Sequence, residues 1–342
     1  MSHPPISLAV VGCGAVASGH YLPALAATPR FAVRWLVDAD AERARQLAER
    51  WGVPNAGTDF RQAEGVAAAV LALPNHLHEP VAVELLKQGI HVLVEKPMAT
   101  TPAGCDSMIL AAEEGQAVLS VGHQFRFFDS SRLVKAVLGS GVLGTPQGFE
   151  LRLGVISRWP FASDYFLRKE TAGGGVLTDY GVHVLDLLLD WLGDWTEVAY
   201  RHDALGGIES DCELDLSFAS GVRGYVEISR TRNLRNTCLF RGDQASLEVG
   251  IWDPDPRLLL RVAGSEVELA GQARRPGGPG LDFNGAFLRS LEDFADAITT
   301  GRPPLVSGRE GRRAVDLIAA CYRDAAPLSL PWMSPPRLKE QW

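Results

Sequence analysis

The 342-residue chain predicts an α/β fold in two parts. An N-terminal doubly wound parallel sheet is followed by a C-terminal α+β region whose strands run mostly antiparallel. Three observations carry this. A short apolar run that ends in a glycine-rich turn opens the chain. Strand-length apolar runs then alternate with amphipathic stretches as far as Val121. Beyond residue 195, short strand-like runs succeed one another with only tight turns between them. Alternating strands and helices give a parallel sheet covered on both faces, whereas consecutive short strands give an antiparallel meander.

The first run, Ser7 to Val11, leads into Gly12-Cys13-Gly14-Ala15-Val16-Ala17, a G-x-G-x-x-A turn. The first glycine makes the turn, the second admits a pyrophosphate to the backbone, and a small third residue lets helix and strand pack closely. The helix N-terminus then presents free N–H groups and a positive dipole end to the phosphates, which makes Gly12, Gly14, Ala15 and Val16 candidate cofactor contacts. Phe31 to Val37 reads as the second strand and ends at Asp38, at the spacing the dinucleotide fingerprint asks for. A carboxylate there bonds the adenosine ribose hydroxyls and repels a 2′-phosphate, so NAD is favoured over NADP.

Ala41 to Trp51 is a helix closed by Gly52 with Pro54 behind it. Val66 to Leu73 is a continuous apolar run of the buried-strand kind. Leu73, Pro74, Asn75 and His78 follow at its carboxyl end, where open parallel sheets bind ligands. Pro80 and Gly89 bracket the next helix, and Ile90 to Val94 is strand four. It runs straight into Glu95-Lys96-Pro97, which sets a lysine at a strand tip over the cofactor crevice. Only five of the 33 basic residues are lysines, which gives that position weight. A helix from Thr101-Pro102 to Gly115 and a strand from Ala117 to Val121 complete this part.

Composition narrows the function. A net charge of -8 leaves no electrostatic footprint for nucleic acid. No apolar run approaches the roughly 20 residues of a membrane span, and no basic segment precedes the first apolar run as in a signal peptide. Five scattered cysteines without a CxxC point to reduced thiols and a cytoplasmic protein. No metal-ligand cluster is evident; His76 and His78 have ligand-like spacing but no partner motif.

The second chemical centre is Gly173 to Asp190, GGGVLTDYGVHVLDLLLD. After three glycines comes a helix that is apolar almost all round, hence buried. It nevertheless carries Asp179, His183, Asp186 and Asp190 at spacings of four, three and four, on one face. A polar stripe on a buried helix is costly unless partnered or facing a cavity, and histidine titrates near neutrality.

These residues identify a resemblance. Gly12-x-Gly14-x-x-Ala17, His20 to Leu25, Pro74-Asn75-x-x-His78, Glu95-Lys96-Pro97 and Gly173-Gly174-Gly175-x-Leu177-x-Asp179-x-Gly181-x-His183-x-x-Asp186 together resemble the glucose–fructose oxidoreductase / inositol dehydrogenase / rhizopine catabolism (Gfo/Idh/MocA) family over essentially the whole chain. Ala17 in place of the last glycine is the one departure. The resemblance implies a Rossmann domain, placed at residues 1–123, and a substrate and oligomerisation domain, 124–342, built on a large open, mostly antiparallel sheet. One face of that sheet would cover the nicotinamide and substrate, and the other would join subunits into a homo-dimer or homo-tetramer. The implied reaction is hydride transfer between NAD and a secondary alcohol of a sugar, sugar derivative or cyclitol. Lys96, Asp179 and His183 are then the catalytic trio.

In the second part, His123 to Phe128 is the hinge region, with Gln124 at the cofactor and Arg126 a candidate for substrate or cofactor. Gln147 to Val155 alternates as a strand. Ser157 to Lys169 is aromatic for a linker, and Arg158, Trp159 and Tyr165 are candidates for the sugar pocket. Strand-like runs follow at Glu197 to His202, Cys212 to Phe218, Arg223 to Ser229, Thr237 to Arg241, Ala245 to Val249, Leu258 to Val262 and Glu266 to Ala270. The loop Arg274 to Gly280 precedes helices at Phe283 to Thr299 and Gly308 to Ala325, and Pro331 to Trp342 is a Pro-rich tail. Two rivals share these residues: an enzyme that retains its NAD and oxidises transiently to drive elimination or glycoside cleavage, and a non-catalytic dinucleotide sensor.

Overall fold

The computed structural model describes residues 4–156, 165–204, 207–251, 258–269 and 283–329. The first sheet has six strands, all parallel: β1 (Ile6–Val11), β2 (Phe31–Val37), β3 (Asn55–Gly57), β4 (Ala68–Leu71), β5 (His91–Glu95) and β6 (Leu119–Gly122), in the order β3-β2-β1-β4-β5-β6. The central strands are buried along their length, all four residues of β4 among them, as helices on both faces demand. Strand order reverses between β1 and β4, the kind of switch point beyond whose strand carboxyl ends open α/β sheets bind ligands. The glycine turn, Leu73 to Asn75, Glu95-Lys96 and Gln124 all stand on that rim.

Local chemistry sets the helices. A π-turn (Ala17–Tyr21) runs into α1 (Leu22–Ala26). The Asp40 carboxylate caps α2 (Ala41–Trp51) by accepting from the Glu42 and Arg43 amides, and Gly52 closes it at φ 66. Then come α3 (His78–Lys87) and α4 (Pro102–Glu114), the latter capped by the Thr101 hydroxyl.

The second sheet has nine strands, in the order β14-β13-β12-β11-β7-β10-β9-β8-β15. They are β7 (Pro146–Gly154), β8 (Trp195–His202), β9 (Asp211–Phe218), β10 (Arg223–Ser229), β11 (Thr237–Gly242), β12 (Ala245–Gly250), β13 (Leu258–Val262), β14 (Ser265–Leu269) and β15 (Ala326–Pro327). Every neighbouring pair is antiparallel except β7·β10 and β8·β15. Its inner face, with Phe149, Leu151, Leu214, Val226 and Ile228 buried, packs on a helix made of a π-turn (Leu177–Gly181) and α7 (Val182–Leu192). Here α5 (Asp129–Gly139) and α6 (Lys169–Ala172) precede that helix in the chain.

The last two helices cross back to the first sheet. Helix α9 (Gly308–Arg323) lies on α4 and α7, and α8 (Phe283–Thr300) lies on α1 and on the turn at Gln124–Phe127. Phe287, Leu291 and Phe294 of α8 join one apolar cluster with Leu8, Val10, Tyr21 and Leu25. The core of the first sheet is therefore closed by residues far along the chain. The expected loop at Arg274 to Gly280 and the tail from Pro331 lie outside the described residues.

Candidate active site

The glycine turn is fixed from behind. Gly12 has φ 95, and a Cβ there would run into the Ala72 carbonyl, whereas one on Gly14 meets nothing within 4 Å. That open space stands beside the first amides of the helix, which have no intrahelical acceptor, and a dinucleotide pyrophosphate fits it. The Asp38 carboxylate accepts from the Cys13 amide at 2.7 Å and the Asp40 amide at 2.9 Å, and pairs with Arg43 Nη1 at 3.1 Å. Asp38 therefore braces the loop. The arginine beside it had no counterpart in the sequence argument.

Glu95 and Lys96 lie at the tip of β5, and the Lys96–Pro97 peptide is cis. Glu95 is buried, accepting from the Tyr21 hydroxyl at 2.7 Å, Gln124 Nε2 at 2.6 Å and the Lys96 amide at 3.1 Å. Burial holds its carboxyl above the usual range, against the pull of Lys96. This network fixes the backbone from which Lys96 projects. Lys96 Nζ donates to Asp179 Oδ1 at 3.0 Å and to the Asp179 carbonyl at 3.1 Å, across the interface of the two sheets.

Asp179 sits in the π-turn. The preceding glycines are required: a Cβ on Gly174 would strike the Tyr322 hydroxyl, and one on Gly175 the Glu209 carbonyl. Glu209, itself buried, accepts from the amides of Gly175 and Leu177 at 3.0 Å and from the Tyr322 hydroxyl at 2.7 Å. A carboxylate from a distant loop thus anchors the start of the helix that carries Asp179 and His183. One turn on, the His183 ring stacks on Phe125 at 4.4 Å, with its Nδ1 enclosed and unpartnered. Burial, reinforced by Lys96 and His123, pushes its pKa well down, so the ring is a neutral base at pH 7. Burial, and then the Asp179 charge, raise the pKa of the Tyr165 hydroxyl.

The polar stripe on this helix divides in two. Asp179 serves Lys96, with no hydrogen bond to His183. Asp186 and Asp190 serve Arg126, which donates to Asp186 through Nε at 2.8 Å and Nη2 at 2.7 Å, and to Asp190 and Glu310 through Nη1 at 3.2 and 2.9 Å. With 3% of its side chain exposed, Arg126 is a structural ion-pair centre, and the expectation that it reaches substrate or cofactor is corrected. His78 is corrected too: fully buried, its ring lies between the carbonyls of Pro97, at 2.8 Å, and Leu73, at 2.9 Å, and burial lowers its pKa to about 4. A neutral ring carries one N–H, so it donates to one of these carbonyls and only packs against the other. The Asn75 amide is likewise committed, donating to the Ala172 carbonyl at 2.7 Å. Arg158 and Trp159 lie outside the described residues. Among the described residues, no group of three or more His, Cys, Asp or Glu is arranged to hold a metal, and no helix is long and apolar enough to cross a membrane.

Sequence reasoning missed Glu209, Tyr322 and Arg230. Arg230 Nη2 lies 3.8 Å from Asp179 Oδ2, whereas Lys96 holds Oδ1. None of the three carries a local motif.

Comparison with known proteins gives two family matches. Residues 6–123 match the model described as oxidoreductase family, NAD-binding Rossmann fold, and residues 131–248 match the GFO/IDH/MocA C-terminal domain. The dTDP-3,4-didehydro-2,6-dideoxy-alpha-D-glucose 3-reductase of Actinomadura kijaniata is 25% identical over 96% of this chain and 98% of its own. The 1,5-anhydro-D-fructose reductase of Ensifer adhaerens is 27% identical over 88% of this chain and 91% of its own. Among solved structures, a levoglucosan dehydrogenase in complex with NADH and levoglucosan superimposes with a TM-score of 0.83 at 23% identity, covering 94% of this chain and 97% of that one. At that identity the likeness speaks for the fold.

Proposed function

The chain belongs to the GFO/IDH/MocA oxidoreductase family, and from that premise we propose that it moves a hydride between NAD(H) and a secondary alcohol or ketone on a sugar, sugar derivative or cyclitol. The observation that carries the proposal is the Lys96–Asp179 pair at 3.0 Å beside a neutral, enclosed His183, all on the rim of the dinucleotide crevice. The bound nicotinamide supplies the hydride acceptor or donor. Lys96, oriented by Asp179, donates a hydrogen bond to the substrate oxygen and stabilises the charge that grows there. His183 takes the hydroxyl proton in oxidation and returns it in reduction. Its Nδ1 is sealed, so the exchange runs through Nε2. His183 is thus the principal base and Lys96 the electrostatic partner. Glu95, with Gln124 and Tyr21, holds the lysine in register.

Cofactor contacts fall to Gly12, Gly14, Ala15, Val16 and Asp38, and to the rim from Leu73 to Pro74 and Gln124. NAD is the preferred form because Asp38 faces the adenosine ribose, although Arg43 offsets part of its charge. We place the dinucleotide domain at residues 1–123 and the substrate domain at 124–342, with Tyr165, Arg158 and Trp159 in the sugar pocket. The outer face of the nine-stranded sheet carries a groove lined by Glu150, Arg152, Asp215, Tyr225 and Arg241, which supports a homo-dimer or homo-tetramer formed through this sheet. Five buried, unpaired cysteines support a reducing, cytoplasmic setting.

The test is NADH absorbance with a panel of sugars, aminosugars, sugar nucleotides and inositols. On the substrate so found, Lys96→Met and His183→Ala each lower kcat by about 10²–10⁴-fold while NAD affinity stays near wild type. Full activity in both variants would sink the assignment.

A further inference from the structure

Tyr322 stands in the last turn of α9, and its hydroxyl lies where that helix meets the Glu209 loop and the glycine turn. The hydroxyl donates to Glu209 Oε1 at 2.7 Å, lies 3.1 Å from Thr178 Oγ1 and accepts from the Gly175 amide at 3.3 Å. A tyrosine hydroxyl has one proton to give and two lone pairs to fill. With its proton on Glu209, the Thr178 hydroxyl is the donor in the second contact, and every position is used. The fit leaves no slack, since a Cβ on Gly174 would strike this oxygen and Thr178 Oγ1 alike. Behind the hydroxyl, the Tyr322 ring meets Tyr200 of β8 edge-on at 5.6 Å.

The two residues so held on the turn both adjoin Asp179 along the backbone. Thr178 precedes it directly, and the Gly175 carbonyl accepts the Asp179 amide at 3.1 Å. Lys96 in turn is tied to the backbone of Asp179 as well as to its side chain: Nζ donates to the carbonyl at 3.1 Å and to Oδ1 at 3.0 Å. An ammonium has three N–H groups. Two of them therefore follow the π-turn wherever it sits, and one is left for a substrate oxygen. A misplacement of about 1 Å at a reacting centre costs on the order of 10²-fold in rate.

We propose that Tyr322 is a positioning residue: its hydroxyl sets the place of the π-turn and, through Asp179, aims Lys96 at the substrate oxygen. The proposal rests on the hydride-transfer reading above.

The experiment uses the full chain and the alcohol found in the panel. Tyr322→Phe keeps the ring against Tyr200 and removes one oxygen. Its kcat should fall about 10-fold, with KM and NAD affinity within about twofold of wild type. Thr178→Val removes only the donor into the Tyr322 hydroxyl and should give the same split more weakly. Tyr200→Phe takes from the same cluster a hydroxyl that has no hydrogen-bond partner, and should leave kcat unchanged. A Lys96→Met background decides the route: with no ammonium left to aim, Tyr322→Phe should lower kcat no further. An equal drop with and without Lys96, or kcat intact in both Tyr322→Phe and Thr178→Val, overturns the proposal and leaves Tyr322 as a stability contact. So does a fall in Tyr200→Phe as large as that in Tyr322→Phe. The chain has five lysines, so NMR of isotope-labelled lysine identifies Lys96 by the signal lost in Lys96→Met. Tyr322→Phe should move that signal and Tyr200→Phe should not. A moved signal in a protein that turns over no alcohol would uphold the anchoring and defeat the hydride-transfer reading. Turnover that depends on Lys96, with a signal that Tyr322→Phe leaves in place, would do the reverse.

Discussion

Asp38 shows how one side chain can carry two duties. Its carboxylate ties the glycine turn to β2, with Arg43 drawn in beside it, and in the proposed cofactor site it also sets negative charge against an adenosine 2′-phosphate. Asp38→Asn keeps an acceptor for the loop and removes the charge. The ratio of kcat/KM for NADP to that for NAD should then rise about tenfold, the equivalent of roughly 1.4 kcal/mol, and Arg43→Ala should lower it. If neither variant moves the ratio, Asp38 braces the loop and nothing more. Arg126 gives a sharper contrast. Removing it by Arg126→Met strands Asp186, which is 1% exposed, in a dry interior. The expected loss is about 3–5 kcal/mol, seen as a lower urea midpoint, far more than for Arg45→Met on exposed α2.

At the scale of an element, the helix bearing Asp179 and His183 is placed by what precedes it. The Gly173–Gly175 turn fits under Glu209 and Tyr322, so Gly175→Ala forces a methyl group into the Glu209 carbonyl. The overpacking should cost about 1–3 kcal/mol. Because the shift enters at the base of the π-turn bearing Asp179, kcat should fall along with the melting temperature. Stability lost with kcat intact would mean that the turn absorbs the strain. The helix also marks the limit of what the sequence disclosed. Its buried character, its glycines and the Asp179–His183 spacing were legible because they are periodic and local. The division of its polar stripe between Lys96 and Arg126 was not, and neither was its anchoring by Glu209, 34 residues from Gly175, and by Tyr322, 147 residues away. Periodicity tells which residues share a face but is silent on what lies opposite. For that reason Arg126 looked like a ligand-binding arginine and Arg230 drew no notice.

For the molecule as a whole, the alternation of strands with helices, the glycine turn and the run of short strands were enough for both sheets. The short edge strands β3 and β15 and the two π-turns were missed, since three residues or a widened turn leave no pattern to detect. Three buried imidazoles govern the pH response. Burial lowers His78 and His123 to about 4, and His183 well below its usual value, whereas unfolded histidine titrates near 6.5. Between those limits the unfolded chain binds more protons, so stability is full above about pH 6.5 and falls as the pH drops toward the folded values. Each ring contributes up to about 1.4 kcal/mol per pH unit. Urea unfolding at steps from pH 7.5 to 4.5 should show a decline that begins near 6.5, and a flat profile down to pH 5 would contradict the neutral, buried assignment.

The return of α8 to the first sheet bears on how such a chain changes over evolutionary time. A lineage that exchanged everything after residue 123 for a new substrate module would also discard Phe287, Leu291 and Phe294, the wall against which Leu8, Val10 and Tyr21 are packed. Successful recombinants must therefore inherit the helix near the end of the chain together with the strands near its beginning. The segment free to diversify is the stretch between them, held at both ends by a single core.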